Sequence, residues 1–167
     1  MSIVAREDVD FVSSPIDLVE DLAEMRSWDV DRLGEDQIAM AVEGAWKTYS
    51  LSLAWYEPGE TLRMVCTYPM QCAEARTGEL LKAVDAANDR SWLGGFNFWK
   101  DQELMAYRYG LTLSGGAAAT HEQVEHILHE AVENCERYYP AFQLVAHQGA
   151  TVETALAAAL LEFAGRA

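Results

Sequence analysis

WKTYSLSLAWYEPGETLRMVCTY, residues 46–68, is the stretch whose reading decides the fold. Side chains in a strand point alternately to opposite faces. Tyr49, Leu51, Leu53 and Trp55 therefore share one face, and Thr48, Ser50, Ser52 and Ala54 the other. Pro58 presets φ for the second position of a turn, and Gly59 supplies the positive φ that a type II turn needs next. Beyond it, Leu62, Met64, Cys66 and Tyr68 continue the apolar face, while Arg63 and Thr67 continue the polar one. The stretch is a hairpin with one face for helices and the other for water or a partner.

On the N-terminal side, Ile38, Met40 and Val42 alternate with small residues and predict a strand ending near Gly44. Before it, Ser14 offers an N-cap, Pro15 suits the first helical position, and Asp17 places a carboxylate where the helix dipole favours it. A helix is expected to about Ser27, with Ile16, Val19, Leu22, Ala23 and Arg26 as its inner stripe. Residues 1–12 are expected to be frayed.

On the C-terminal side, the period changes from two to 3.6 between Pro69 and Arg90. Ala73, Leu80, Leu81, Val84 and Ala87 mark a crossover helix, in which Gly78 costs about 1 kcal/mol relative to Ala and leaves room for another backbone. From Leu93 the period returns to two: Phe96 and Phe98, a turn at Lys100 to Gln102, then Met105, Tyr107, Tyr109, Leu111 and Leu113 form a second hairpin. Arg108, Gly110 and Thr112 occupy its polar face. Thr120 with Gln123 makes a capping box, and Val124, Ile127, Leu128, Ala131 and Cys135 a helical stripe that Pro140 is expected to kink or restart after Tyr139. Thr151 caps a last helix lined by Val152, Leu156, Ala159, Leu160 and Phe163.

The pattern predicts an α+β fold, α-β-β-β-α-β-β-α-α, whose antiparallel five-stranded sheet is built from two hairpin-based parts with helices mainly on one face. Residues 13–167 are expected to form a single domain that includes an added C-terminal helix over about 151–165.

A formal net charge of -15 disfavours nucleic acid and anionic membranes, and suits either solubility or the steering of a basic partner. No stretch reaches the roughly 18 apolar residues of a membrane span, and the N-terminus lacks a basic flank followed by an apolar run. Cys66, Cys72 and Cys135 are odd in number and lack metal-ligand spacing, so they read as small core residues of a cytoplasmic protein in a reducing compartment.

Few residues suggest chemistry. His121-Glu122-Gln123-Val124-Glu125-His126 approaches a zinc helix motif, but histidines five apart lie roughly 140° apart around a helix rather than on one face. His126 and His129 sit at a workable i, i+3 spacing, yet on the face opposite Val124, Ile127 and Leu128 they read as solvated residues, and no metal or cofactor is expected. Gly115-Gly116 lacks the lysine and spacing of a phosphate loop. Cys72, near a helix start, would be reactive only if exposed. No nucleophile pairs with a histidine and a carboxylate, and an enzyme is not expected. Trp46, Trp92, Trp99, Tyr138, Tyr139 and Phe142 lie at strand ends or near Pro140, where large rings either pack internally or mark a partner-binding surface.

The element order, with Pro69-Met70 before the crossover helix, Asn88 near its end, Trp92-Leu93-Gly94 with Phe96 and Trp99, and Tyr138-Tyr139-Pro140-Ala141-Phe142, resembles the YbjN-like family. Its members are labelled bacterial sensory transduction regulators, and their domain resembles type III secretion chaperones. The resemblance implies a curved antiparallel sheet, often a homodimer, and binding of proteins rather than turnover of substrates. The expected function is thus a non-enzymatic chaperone-like or adaptor protein that holds a protein partner. The alternative is a small-molecule sensor with an apolar pocket between sheet and helices.

Overall fold

Strand pairing follows the alternation. The computed structural model describes residues 14–166, so the segment expected to be frayed over 1–12 lies outside the described residues. The chain runs α1 (Pro15–Met25), β1 (Asp29–Arg32), β2 (Gln37–Glu43), β3 (Thr48–Tyr56), β4 (Thr61–Pro69), α2 (Glu74–Asn88), β5 (Gly95–Trp99), β6 (Leu104–Thr112), α3 (His121–His147) and α4 (Val152–Arg166). The described strands form one sheet in the order β1-β2-β3-β4-β6-β5, antiparallel throughout. Six strands stand where five were expected. The extra one, β1, is four residues long and carries a single partly buried aliphatic side chain, Val30, so it shows almost no hydrophobic period.

The alternating residues bury as expected: Tyr49, Leu51, Leu53, Leu62, Met64, Cys66 and Tyr68 are all at most 1% exposed. Both hairpins turn in a different way from the type II turn expected at Pro58-Gly59. Each makes a short 3-10 turn, Glu57–Gly59 or Lys100–Gln102, and the residue after it, Glu60 (φ 44°) or Glu103 (φ 52°), takes the left-handed conformation. The neighbouring hairpin holds each of these glutamates in place. Leu113 donates its N–H to the Glu60 carbonyl at 2.7 Å, and Met70 donates to that of Glu103 at 2.8 Å.

All four described helices contribute to one core. α1 packs on β1, β2, β3 and α3; α2 on β5, α3 and α4; α3 on β4 and β6. Ser14 and Asp17 form a full capping box on α1, and Thr120 and Gln123 another on α3. The inner stripes of two helices need correction. Arg26 is exposed, and in α2 the buried position is Ala83 rather than Leu81, which is 48% exposed; Ala73 is exposed as well. Nothing approaches Gly78, so it makes no room for a backbone.

Pro140 does not break α3, which runs unbroken for 27 residues. Tyr138 and Phe142, on either side of it, are both buried against Phe96, with ring centroids 5.7 and 5.2 Å away. A proline in a helix interior costs about 3 kcal/mol, while burying a large apolar side chain contributes about 1.5–3 kcal/mol. Two such rings outweigh the lost hydrogen bond.

Two tyrosines in this core differ in one respect. The Tyr49 hydroxyl donates to Glu136 Oε1 at 2.6 Å, whereas the buried Tyr68 hydroxyl has no hydrogen-bond partner. Tyr68→Phe is therefore expected to raise stability by about 1 kcal/mol, and Tyr49→Phe to lower it by about 1–2 kcal/mol. Denaturant midpoints at unchanged m-value check both; a loss in Tyr68→Phe as large as in Tyr49→Phe contradicts the account.

Burial pushes both phenols up from their ordinary value of 10.0, and for Tyr49 the Glu136 carboxylate adds to the shift. An acid that folding holds protonated favours the native state fully below its unfolded pKa. That advantage erodes as pH climbs from there toward the folded pKa. Stability is thus expected to be insensitive to these groups below about pH 10 and to fall above it. Their phenolate absorbance should appear together with loss of the helical circular dichroism signal, not before it.

Candidate functional site

The first described turn of chain after α1 builds the site. Arg26 ends the helix and Ser27 turns left-handed (φ 54°). Ser27 donates its N–H to the Glu24 carbonyl and Trp28 to that of Ala23, both at 3.0 Å. This pair of bonds is the Schellman closure, made with serine where glycine is usual. It ends α1 two residues earlier than expected. The turn sets the half-buried Trp28 beside Leu22 of α1, Val42 of β2, and Leu128 and Val132 of α3.

These side chains floor a hollow of about 460 Å³ between α1, β2 and the N-terminal half of α3. Small-ligand pockets occupy roughly 300–1,000 Å³. The floor is apolar, with Leu22, Val42 and Leu128 each under 10% exposed. Arg26, Glu122, Glu125, His126 and His129 form the rim. Arg26 is ion-paired with Glu125, and His129 Nε2 lies 3.5 Å from Glu133. Met25, next to Arg26, is 69% exposed. The arrangement suits an apolar group entering from solvent past charged edges.

His126 and His129 are thus placed on the exposed rim of the hollow. Among the described residues no group of three or more His, Cys, Asp or Glu side chains is disposed to hold a metal ion. Cys66 and Cys135 are buried with their sulfurs 3.7 Å apart, and burial pushes the Cys135 thiol well up. Cys72 is half-buried, its Sγ 3.5 Å from the Ala73 carbonyl oxygen.

The six aromatic residues singled out in the sequence do not converge. Tyr138 and Phe142 are core. Trp46 stacks on Tyr139 at 5.8 Å, and the Arg166 guanidinium lies 5.2 Å from the Trp46 ring centre. Glu136 gathers this corner: it accepts from the Trp46 N–H at 3.3 Å and from Tyr49, and lies 3.8 Å from Arg166. Trp92 stands 97% exposed between α2 and β5, and Trp99 borders the uncovered sheet face. The sequence allowed an apolar pocket between sheet and helices but did not place it, because a groove depends on the spacing of α1 and α3. Periodicity marks Leu22 and Leu128 as inward but carries no interhelical distance.

Comparison with known proteins gives one family and one fold. The family model for YbjN, described as "Putative bacterial sensory transduction regulator", matches residues 15–144 and stops short of α4. No curated protein matches the chain. Among solved structures, the crystal structure of YbjN from E. coli, described there as a putative transcription regulator, covers 80% of this chain and 90% of its own with a TM-score of 0.52. At 9% identity that likeness shows the shared fold. With the YbjN family model matching residues 15–144, most of its length, the chain belongs to the YbjN family.

Proposed function

We propose that this chain is a non-enzymatic regulatory adaptor, homodimeric, that holds an apolar segment of a protein partner in the groove between α1 and α3. The observation that carries this reading is the groove itself: an apolar floor left open to solvent between charged edges. Helices that present one apolar face dock in grooves of this kind. Membership in a family of regulators supports a regulatory role in general terms. Glu122 and Glu125 on the rim, within a chain of net charge -15, favour basic residues flanking the partner's apolar contact.

A second reading rests on the same volume. A small apolar ligand would fill about 460 Å³ and make the protein a sensor. Val132→Arg tests both readings, because Val132 is only partly buried and a guanidinium there obstructs the groove and repels basic flanks. A protein partner retained by the wild type at low salt, released by raised salt and not retained by a folded Val132→Arg variant supports the adaptor. Equal retention by the variant removes the partner from the groove. A small molecule that raises the melting temperature of the wild type but not of the variant supports the sensor instead.

A further inference from the structure

The far face of the sheet is uncovered and has an unusual charge layout. Register places Ala41, Ser50 and Thr67 in one row across β2, β3 and β4, and Ala39, Ser52 and Val65 in the next. No side chain larger than valine stands in the centre, and a trough of about 570 Å³ runs along it, bordered by Trp99 and Leu104. Opposite charges lie on its two sides. Asp29 and Asp31 of β1 continue the two rows at one edge, opposite Ala41 and Ala39, and Glu43 of β2, opposite Thr48, stands exposed on the same face. Arg108 of β6 ends the second row beyond Val65, and Arg63 of β4 lies opposite Gly110.

Among the described residues these five charges enter no ion pair. Arg63 covers the Tyr56 ring at 3.6 Å. The chain has 12 basic residues against 27 acidic ones, so two arginines on one uncovered face are not explained by the general need for a charged surface.

A wholly basic partner would be repelled by Arg63 and Arg108, and a wholly acidic one by Asp29 and Asp31. The face calls for a partner with both signs, about 19 Å apart, the width of four strand spacings. The same face of a second copy has that layout. Turned about a two-fold axis running along the strands, it sets Asp31 of one copy over Arg108 of the other, and small central residues let two sheets pack at about 10 Å.

We propose that the uncovered sheet face is the surface on which a second copy of this chain docks, with Asp31 of one copy over Arg108 of the other and Asp29 and Arg63 adding to the charge of the two sides. This rests on the dimeric state put forward above but not on the groove, which opens on the other side of the sheet.

Sedimentation equilibrium of the full chain tests it with two charge-reversal variants, D29K/D31K and R63E/R108E. The wild type is expected to sediment at twice the chain mass. Each variant alone should dissociate at concentrations roughly tenfold higher or more, and an equimolar mixture of the two should recover the tight dimer. The milder Arg108→Ala, with a circular dichroism spectrum matching the wild type, should also weaken association if reversal disturbs folding. A wild type that stays monomeric overturns the dimeric reading together with this surface. A dimer unmoved by any variant, or not recovered in the mixture of folded variants, overturns the surface while leaving the dimer standing.

Discussion

The seam between α3 and one face of the sheet is the interaction on which the rest of the structure depends. A sheet buried on one side needs a long cover, and α3 spans about 40 Å at 1.5 Å per residue. Its buried positions run from Val124 to Ala146 and meet β4 and β6, the strands that join the two hairpins. The other helices fill in around it: α1 beside its N-terminal half, α2 and α4 against its remaining flanks. A break at Pro140 would divide this cover in two and uncover Phe96. Continuity of α3 is therefore decided by the core rather than by local propensity.

Apolar burial is non-directional, so it does not set where each element stops. A few directed contacts do. Arg32 donates to Asp17 and Glu20 of α1 and to the carbonyls of Gly34 and Glu35, which fixes the short β1 and its turn against α1. The hydrogen bond to Asp17, ahead of the other causes, holds its guanidinium above the usual arginine range. Arg76 of α2 donates to the carbonyls of Val145 and Ala150, placing a cation at the C-terminus of α3, where the helix dipole favours it. Asn88 pairs its side-chain amide with both the N–H and the C=O of Phe96 on the edge strand β5, at 2.7 and 3.0 Å. That contact occupies backbone groups which would otherwise be free to recruit another strand.

How far the sequence reveals this depends on the range of each interaction. Both hairpins, the N-cap at Ser14, the capping box at Thr120 and the inner stripe of α3 follow from local period and local chemistry, and they stand where expected. Three features depend on distant partners and were read wrongly or missed. β1 exists because β2 and α1 receive it, the left-handed glutamates because a neighbouring hairpin bonds their carbonyls, and unbroken α3 because Phe96 lies beneath it. The groove belongs with these. Of its floor, Leu22 and Leu128 were legible as inward-facing, but Trp28 enters only through the closure of α1 at Ser27.

Charge works on two length scales in this molecule, and both bear on the docking proposed for a second copy. At physiological salt the screening length is about 8 Å, so most of the -15 net charge is felt weakly by an approaching molecule until contact is near. At contact, the charges on the meeting faces matter more than the total. The uncovered sheet face concentrates its carboxylates on β1 and β2 and its guanidiniums on β4 and β6, with uncharged small residues in its centre. Net repulsion then acts against random encounters, whereas one relative orientation brings opposite charges together. Lowering the salt lengthens the range of the first effect more than it strengthens the second, since only the repulsion is summed over the whole molecule.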